Sequence, residues 1–318
     1  MANTISRRGI LQAMALGASG IPAWAQQQTR GIGPDEYYNK NGPVVDVGAG
    51  VRIGYREAWL GAPWEKPEPM LLIHGNIESA IVWYGWVPRL GSEFRLLMPD
   101  MPGFGHSTMP AGFQYTLPNV AGALAGFLDK MGVDSAHVVA AKTGGSIGVQ
   151  FAASHPRRTK TLVLATAPLS PEEKQPNAPP RQSPDEILDQ SKRLGSAASK
   201  EQVAFYDKMI EATVPEPSRT MRKMLTEGRN SKYLEGLLPK IQAPALVITS
   251  DRNAQVSVPA ALANQKMIPN SRLLVITSDA YHIILANADE VTASLWANSD
   301  DGVERSPVAE EGRVTSAR

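Results

Sequence analysis

Lys142 and Ser146 are two candidate nucleophiles in one glycine-rich stretch of the chain. Gly144-Gly145-Ser146-Ile147-Gly148 matches the Gly-x-Ser-x-Gly pattern, which is typical of a serine nucleophile on a sharp strand-to-helix turn. Lys142 comes just after the apolar run 137–140, which is typical of a buried strand. A lysine that loses its proton near neutral pH attacks ketones and forms a Schiff base, an electron sink for carbon–carbon cleavage or decarboxylation.

The composition argues against several other kinds of site. Cysteine is absent from the 318 residues, so neither a disulfide nor a thiolate metal site can form. The five histidines are scattered, and we expect neither a metal nor another cofactor. Lys plus Arg is 32 against 31 for Asp plus Glu, so the charge indicates neither nucleic acid nor an anionic membrane as a partner. The expected partner is a small-molecule substrate.

The spacing of apolar runs predicts the sheet that positions the two nucleophile candidates. Two short strands, 44–47 and 51–55, are joined by Gly48-Ala49-Gly50, which favours a hairpin. Helical patterns such as 120–131 and 147–154 lie between later apolar runs, and this alternation predicts a mostly parallel, doubly wound α/β fold. Each of six runs is typical of a strand buried on both faces: 70–73, 95–98, 137–140, 161–164, 245–248 and 273–276.

Residues 171–240 interrupt the alternation of strands and helices. They open with a proline-rich stretch and continue with amphipathic helical patterns, so we expect a helical insertion. Ser199 and Gln202 have the spacing of a helix-capping pair. Six residues are candidates for the lining of this insertion, although Met and aromatic residues in helices are more often part of the core: Phe205, Tyr206, Met209, Met221, Met224 and Tyr233.

Both ends of the chain differ in composition from the α/β core, which we expect at 26–170 and 241–300. Residues 1–25 contain Arg7-Arg8, a short apolar run and a small-residue site, which together resemble a cleaved twin-arginine export signal. The run is too short for a membrane anchor. Residues 301–318 are charged and predicted to be a flexible tail. We therefore expect a periplasmic protein that is not held in the membrane after signal cleavage.

Two loop sequences resemble motifs of the α/β-hydrolase superfamily. Leu72-Ile73-His74-Gly75-Asn76 is similar to the oxyanion loop after the family's third strand, and the stretch 100–107 is similar to the Asp-x-Pro-Gly-x-Gly-x-Ser turn after its fourth. The insertion at 171–240 falls where the family places its cap. The resemblance implies an α/β-hydrolase core with a helical cap, and cofactor-independent hydrolase-type chemistry on a small carbonyl compound. The oxyanion loop with Trp83 also resembles dehalogenases of this fold, whose aspartate nucleophile Lys142 cannot replace.

The family's nucleophile position has two possible registers in this chain. In many family members the nucleophile is followed by x-Gly-Gly and, after one helix, by a His-Pro pair. Lys142 is followed by Thr143-Gly144-Gly145 and lies 14 positions before Pro156, about the family's interval, whereas Ser146 lies only 10 positions before it. The register therefore favours Lys142 and places Ser146 inside the helix. A conventional serine hydrolase that uses Ser146 stays open as the alternative.

The resemblance also implies the remaining functional positions. His282 follows the last parallel strand, where the family keeps its catalytic histidine. Asn253 stands at the position of the family's acid, and Asp251 serves instead only if the loop is shifted. The backbone N–H groups of Asn76 and Thr143 are at the oxyanion-hole positions.

A nucleophilic Lys142 needs a pKa well below its reference value of about 10.4. Burial and the N-terminal end of the following helix both lower the pKa, whereas a buried carboxylate would keep the lysine charged. Asn253 in place of an aspartate therefore favours a neutral amine, and its amide can still orient His282. The predicted reaction is cleavage of an ester or of a carbon–carbon bond next to a carbonyl. A charged Lys142 that anchors an anion, and a non-catalytic ligand-binding protein, stay open as alternatives.

Overall fold

The predicted strands all form, and they make one eight-stranded sheet in the computed structural model. The structure describes residues 42–170, 191–211, 220–221, 223–224, 227, 232–253 and 255–297, which belong to the compact unit Asn41–Arg318. The proposed signal and the tail lie outside the described residues, as does part of the insertion at 171–240. No helix of the described residues is both long and apolar enough to cross a membrane.

The sheet is antiparallel at one edge and parallel through the rest. Its spatial order is β1-β2-β4-β3-β5-β6-β7-β8, with β1–β2 and β2–β4 antiparallel and every other neighbouring pair parallel. The strands are β1 (Val44–Gly48), β2 (Val51–Ala58), β3 (Glu68–Ile73), β4 (Phe94–Pro99), β5 (Ala136–Ala141), β6 (Thr159–Ala165), β7 (Ala245–Ser250) and β8 (Ser271–Ile276). Strand β4 lies on one side of β3 and strand β5 on the other, so the order in which strands are added to the sheet reverses between β3 and β5. The carboxyl ends of strands at such a point are the expected ligand site.

Helices connect the parallel strands and also follow the last strand. The described α-helices are α1 (Val87–Leu90), α2 (Leu117–Lys130), α3 (Gly144–Ser154), α4 (Ser191–Leu194), α5 (Lys200–Glu211), α6 (Val258–Met267), α7 (Ile283–Ala286) and α8 (Ala288–Ala297). Short 3-10 helices occur at Ala80–Trp83, Pro156–Arg158 and Leu238–Lys240. The predicted helices at 120–131 and 147–154 correspond to α2 and α3, which each begin three residues earlier.

Helix α3 packs unusually close to the carboxyl ends of β3 and β6. A Cβ atom at Gly144 would collide with the carbonyl of His74, and one at Gly145 would collide with Ala167. The two glycines therefore allow the helix to begin directly beneath the loop that follows β3. The Gly-Gly pair that follows Thr143, as in the family's pattern, is thus required by packing.

The described parts of the insertion include α4 and α5. The predicted capping pair at the start of α5 forms, because the Ser199 N–H donates to Gln202 Oε1 at 2.9 Å and the Gln202 N–H donates to Ser199 Oγ at 3.2 Å. Helix α5 then buries Tyr206 and Met209. Since α5 contributes these side chains to the interior, it brings the insertion over the carboxyl end of the sheet.

Candidate active site

Lys142 lies at the tip of the turn between β5 and α3. Its φ of 53° is in the left-handed region, which is uncommon for a residue other than glycine and is strained for a long side chain. The Lys142 N–H donates to the Ala165 carbonyl at 2.8 Å, which fixes the turn against β6. The strained turn directs the side chain into the interior, where only 2% of the residue is exposed.

Ser146 lies inside α3, as its register predicts. The residue is 1% exposed, and its Oγ has no hydrogen-bond partner among the described residues. A serine nucleophile needs a base within hydrogen-bond distance. The literal Gly-x-Ser-x-Gly stretch is thus the beginning of a packed helix in this structure.

Glu78 is the residue of the site that the sequence reasoning missed. It follows the His74-Gly75-Asn76 loop and is fully buried. Its Oε1 contacts Lys142 Nζ and lies 2.6 Å from Nε2 of His282, while its Oε2 accepts the Gly75 N–H at 2.8 Å. A buried carboxylate without partners is strongly unfavourable, so the basic residues on either side explain why Glu78 is tolerated.

Tyr206 from α5 closes the cluster from the insertion side. Its hydroxyl accepts a hydrogen bond from Lys142 Nζ at 2.7 Å and donates one to Glu78 Oε1 at 2.9 Å. The ring lies edge-on to His282 with centroids 4.7 Å apart, and Lys142 Nζ is 5.3 Å from the ring centroids of Tyr206 and Tyr281. A lysine, a carboxylate, a phenol and an imidazole therefore meet in one water-shielded cluster.

His282 is held in place chiefly through its backbone. Its N–H donates to the Arg193 carbonyl at 2.9 Å, and the residue precedes α7 directly. The ring is fully buried, and its Nε2 lies close to Glu78 Oε1 without the alignment of a hydrogen bond. Its Nδ1 has no hydrogen-bond partner among the described residues. One ring nitrogen is thus available for proton transfer.

The protonation states follow from burial and from neighbouring charges. Burial lowers the pKa of Lys142 to about 8, against the opposing effect of the Glu78 carboxylate. Burial likewise lowers the pKa of His282 to about 4. Burial would raise the pKa of Glu78, but His282 and Lys142 outweigh it and hold that pKa well below its usual range. At neutral pH, Glu78 is therefore ionised and His282 is neutral, and burial increases the neutral fraction of Lys142.

The predicted role of Asn253 is not supported by its contacts. Its amide nitrogen donates to Ser250 Oγ and to the Ala280 carbonyl, each at 3.0 Å, and its Oδ1 accepts the Val256 N–H at 2.8 Å. These bonds fix the turn after β7, and no hydrogen bond joins Asn253 to the His282 ring among the described residues. The family resemblance indicates a carboxylate beside Lys142 only at position 253, whereas in this chain Glu78 from a different loop supplies one.

Asp251 does not take over the position of an acid either. Its side chain accepts the Ser278 N–H at 2.9 Å and is exposed, whereas His282 is fully buried. The loop shift that would bring Asp251 to His282 has therefore not occurred.

The two predicted oxyanion-hole residues lie together, but one donor is already used. The Asn76 N–H donates to the Thr143 side-chain oxygen at 2.6 Å. His74 stabilises this loop, because its Nδ1 lies 2.7 Å from the Gly75 carbonyl and its Nε2 accepts the Met101 N–H at 2.9 Å. The loop is thus rigidly placed, with Thr143 Oγ1 where a substrate oxygen would have to bind the Asn76 N–H.

An apolar cleft of about 290 Å³ lies elsewhere, toward the amino ends of β3 to β8. Phe94, His137 and Asn270 are among the residues that line it. Lys142 is at the carboxyl end of β5, so this cleft is not part of the cluster. Among the described residues, no group of three or more metal-binding side chains could hold a metal ion.

Residues 68–289 match the family described as the alpha/beta hydrolase fold. Because this match covers more than half of the chain, the protein belongs to the α/β-hydrolase superfamily. The eight-stranded sheet and the strand-to-helix turn at Lys142 agree with that assignment.

Individual relatives share shorter stretches with the chain. A 2-hydroxymuconate semialdehyde hydrolase from Pseudomonas sp. is 32% identical over 131 residues, which is 39% of this chain and 44% of that protein. A pimeloyl-[acyl-carrier protein] methyl ester esterase from Aeromonas hydrophila is 35% identical over 100 residues, 31% of this chain and 38% of the esterase. The match covers less than half the length of these relatives.

Solved structures resemble the chain over most of its length. An enol-lactonase from Burkholderia xenovorans has a TM-score of 0.66 at 19% identity, covering 80% of this chain and 98% of the lactonase. A putative lipase from Acinetobacter baumannii has a TM-score of 0.68 at 19% identity, covering 88% of this chain and 97% of the lipase. At such identities the likeness shows the fold alone.

Proposed function

We propose that this protein is an enzyme that cleaves a bond next to the carbonyl group of a small molecule, with Lys142 as the group that attacks the carbonyl carbon. The observation that carries the proposal is the placement of Lys142 on the strained turn between β5 and α3, with its amine buried against Glu78 and Tyr206. The matched hydrolase and esterase support a carbonyl compound as the substrate class.

The arrangement gives each polar group a role. Glu78 and Tyr206 contact the lysine amine and can carry protons to and from it. His282, with its pKa lowered to about 4 by burial, is a neutral base that can accept a proton from substrate or water. We propose no metal or cofactor in this reaction.

The contacts of Lys142 count against the role of an anion anchor. The charge of its ammonium form is already matched by the buried Glu78 carboxylate. A substrate carboxylate would have to approach both charges, so the attraction to Lys142 would be offset by repulsion from Glu78.

The test of the proposal compares variants of the purified protein on a panel of esters, β-diketones and β-hydroxy ketones. Lys142→Arg keeps a cation but raises the pKa far above neutrality, and we expect it to abolish turnover. Ser146→Ala is the matched control four residues further along the chain, and we expect this variant to retain turnover. Turnover lost in Ser146→Ala, together with Ser146 labelling by a fluorophosphonate, would establish the serine alternative. Ligand binding retained in Lys142→Ala, with no turnover by the unmodified protein either, would instead indicate a non-catalytic binding protein.

We further propose that the enzyme acts in the periplasm after export through the segment 1–25. The support is the Arg7-Arg8 pair with the short apolar run behind it. Replacing both arginines by lysine should retain the protein in the cytoplasm if the twin-arginine route is used, and cell fractionation measures this.

A further inference from the structure

The charges around Lys142 discriminate between two kinds of reaction intermediate. A Schiff base on Lys142 carries a positive charge, whereas a tetrahedral ester intermediate carries a negative charge on oxygen. The fully buried Glu78 carboxylate contacts Lys142 Nζ and is therefore placed to stabilise the first and to oppose the second.

The oxyanion loop points in the same direction. The Asn76 N–H, a donor that an ester oxyanion would need, is bonded to Thr143 Oγ1 at 2.6 Å. A substrate oxygen has to displace that hydroxyl before it can use the donor. The Glu78 carboxylate is thus already in place to stabilise a cationic intermediate, whereas the Asn76 N–H that would stabilise an anionic one is already hydrogen-bonded.

The chemistry of an amine nucleophile leads to the same conclusion. Attack of Lys142 on an ester, with loss of the alcohol, leaves an amide on the lysine, which water does not hydrolyse readily. Attack on a ketone instead gives a carbinolamine and then an iminium ion, which water reverses. Only the second route returns the free enzyme at a useful rate.

Resting on the function proposed above, we infer that the substrate is a β-hydroxy ketone rather than an ester, and that Glu78 is the counter-ion of a cationic Schiff base on Lys142. The neutral Lys142 amine forms a C–N bond to the carbonyl carbon. The carbonyl oxygen takes one proton from the amine and one from solvent, and it leaves as water to give the iminium. His282 then accepts the proton of the β-hydroxyl group. The bond between the α- and β-carbons breaks, its electron pair enters the iminium to form an enamine, and the β-carbon leaves as a carbonyl product.

The cycle closes without an external oxidant or cofactor. The enamine takes a proton at its α-carbon from His282, which returns to its neutral form. Water adds to the resulting iminium, and the C–N bond breaks to release a ketone and the neutral Lys142 amine, while the proton taken up during iminium formation returns to solvent. One β-hydroxy ketone has then become two carbonyl compounds, in which all atoms are accounted for.

Substrates of matched shape test the inference in the unmodified protein, with Lys142→Arg measured in parallel to identify the Lys142-dependent turnover. Diacetone alcohol and methyl β-hydroxyisovalerate share one skeleton and differ by a methyl or methoxy group on the carbonyl carbon. With these and larger homologous pairs, we expect acetone or the corresponding ketone to form, with kcat/KM for the ketone about a hundredfold or more above that for the ester. Lys142-dependent hydrolysis of the esters at an equal or higher rate overturns the inference but leaves the proposed function intact. Absence of Lys142-dependent turnover on both series counts against the proposed function itself.

Glu78→Gln tests the counter-ion in a way that a purely structural role would not. Removing the carboxylate charge removes the group that raises the Lys142 pKa, so the rising limb of the pH profile should move to lower pH. The maximal rate with the ketone should nevertheless fall about a hundredfold, because the iminium loses its counter-charge. The charged or titratable groups that face Lys142 in this variant are Arg193, Tyr206, Tyr281 and His282.

Glu68→Gln is the matched control, because Glu68 also contacts a histidine and a lysine. Its Oε2 lies 2.6 Å from His137 Nε2 and its Oε1 lies 3.0 Å from Lys160 Nζ, at the opposite end of β3. We expect its rate and pH profile to equal those of the unmodified protein. An unchanged pH profile in a folded Glu78→Gln protein, or equal losses in both variants, contradicts the assignment of Glu78.

Discussion

Glu78 Oε1 lies 2.6 Å from His282 Nε2, and the same oxygen contacts the amine of Lys142. One carboxyl oxygen therefore links the residue on the nucleophile turn with the histidine that follows β8. The acid comes from the loop after β3, and Asn253 after β7 serves to stabilise its own turn. The family resemblance implies an acid after β7, whereas the carboxylate that contacts Lys142 and His282 in this chain follows β3.

The pH dependence of kcat/KM should distinguish a nucleophilic from a charged Lys142. Burial lowers the pKa of Lys142 to about 8, and the reactive form is the unprotonated amine. The rate should therefore rise about tenfold per pH unit up to pH about 8 and level off above it. His282 is already neutral above its pKa of about 4, so its titration does not change the rate near neutral pH. A charged anchor predicts the reverse, with a rate that falls as the pH rises through about 8.

Tyr206→Phe should lower both the free energy of unfolding and the rate of the reaction. The change keeps the ring against His282 but removes the hydroxyl that accepts from Lys142 and donates to Glu78. We expect the free energy of unfolding to fall by about 1–3 kcal/mol, because two charged partners lose a buried hydrogen bond. Urea denaturation measures the change. Tyr233→Phe removes a hydroxyl from a half-exposed tyrosine that is bonded to the uncharged amide of Gln150, and it should cost less, about 1 kcal/mol or below. Equal effects in the two variants would refute the assignment.

The ion pair of Lys142 and Glu78 should show strong coupling in a double-mutant cycle. Lys142→Met leaves a buried carboxylate without its cation and should lower the free energy of unfolding by about 3–5 kcal/mol. Adding Glu78→Gln should recover a large part of that loss, since no carboxylate then remains buried without its cation. The same cycle on Lys160 and Glu68, a surface pair 3.0 Å apart, should give a coupling of about 0–1 kcal/mol. A buried pair with coupling as small as the surface pair would contradict the charges assigned here.

Asn253→Asp should not create a conventional catalytic acid. The amide nitrogen of Asn253 donates to the Ala280 carbonyl and to Ser250 Oγ, and an aspartate cannot donate to the carbonyl when ionised. We expect a loss of about 1–3 kcal/mol in the free energy of unfolding and an unchanged pH limb near 8. Thermal denaturation and the pH profile measure the two effects. A stabilised variant whose pH limb moves upward would show that position 253 faces Lys142 after all.

The sequence predicts the scaffold well because local patterns encode it. Apolar runs of strand length place all eight strands, and the interval between Lys142 and Pro156 correctly puts Ser146 inside a helix. His282 also lies next to Glu78, the ion-pair partner of Lys142, because the carboxyl ends of parallel strands share one edge of the sheet. These features depend on spacing along the chain, which the sequence contains directly.

The polar contacts of the site could not be predicted in the same way. Glu78 is a single acidic residue next to the apolar run Ala80–Trp83, and a charge in such surroundings needs a buried basic partner. That pattern could have indicated a buried Glu78, but it does not identify which basic residue is its partner. Tyr206 was one of six candidates for the lining of the insertion, and only the packing of α5 selects it. Distances between loops after different strands depend on the folded sheet.

Reductive trapping detects the attack of the Lys142 amine on a carbonyl group as a covalent adduct. The protein is incubated with β-hydroxy ketones that it turns over, treated with borohydride, and mapped by mass spectrometry of its peptides. We predict that a secondary-amine adduct forms on Lys142, at a level well above that on Lys160, which is paired with Glu68 on the surface. The adduct should increase as the pH is raised toward about 8, where the amine becomes neutral. Turnover of these ketones without an adduct on Lys142 above the level on Lys160 would contradict the account.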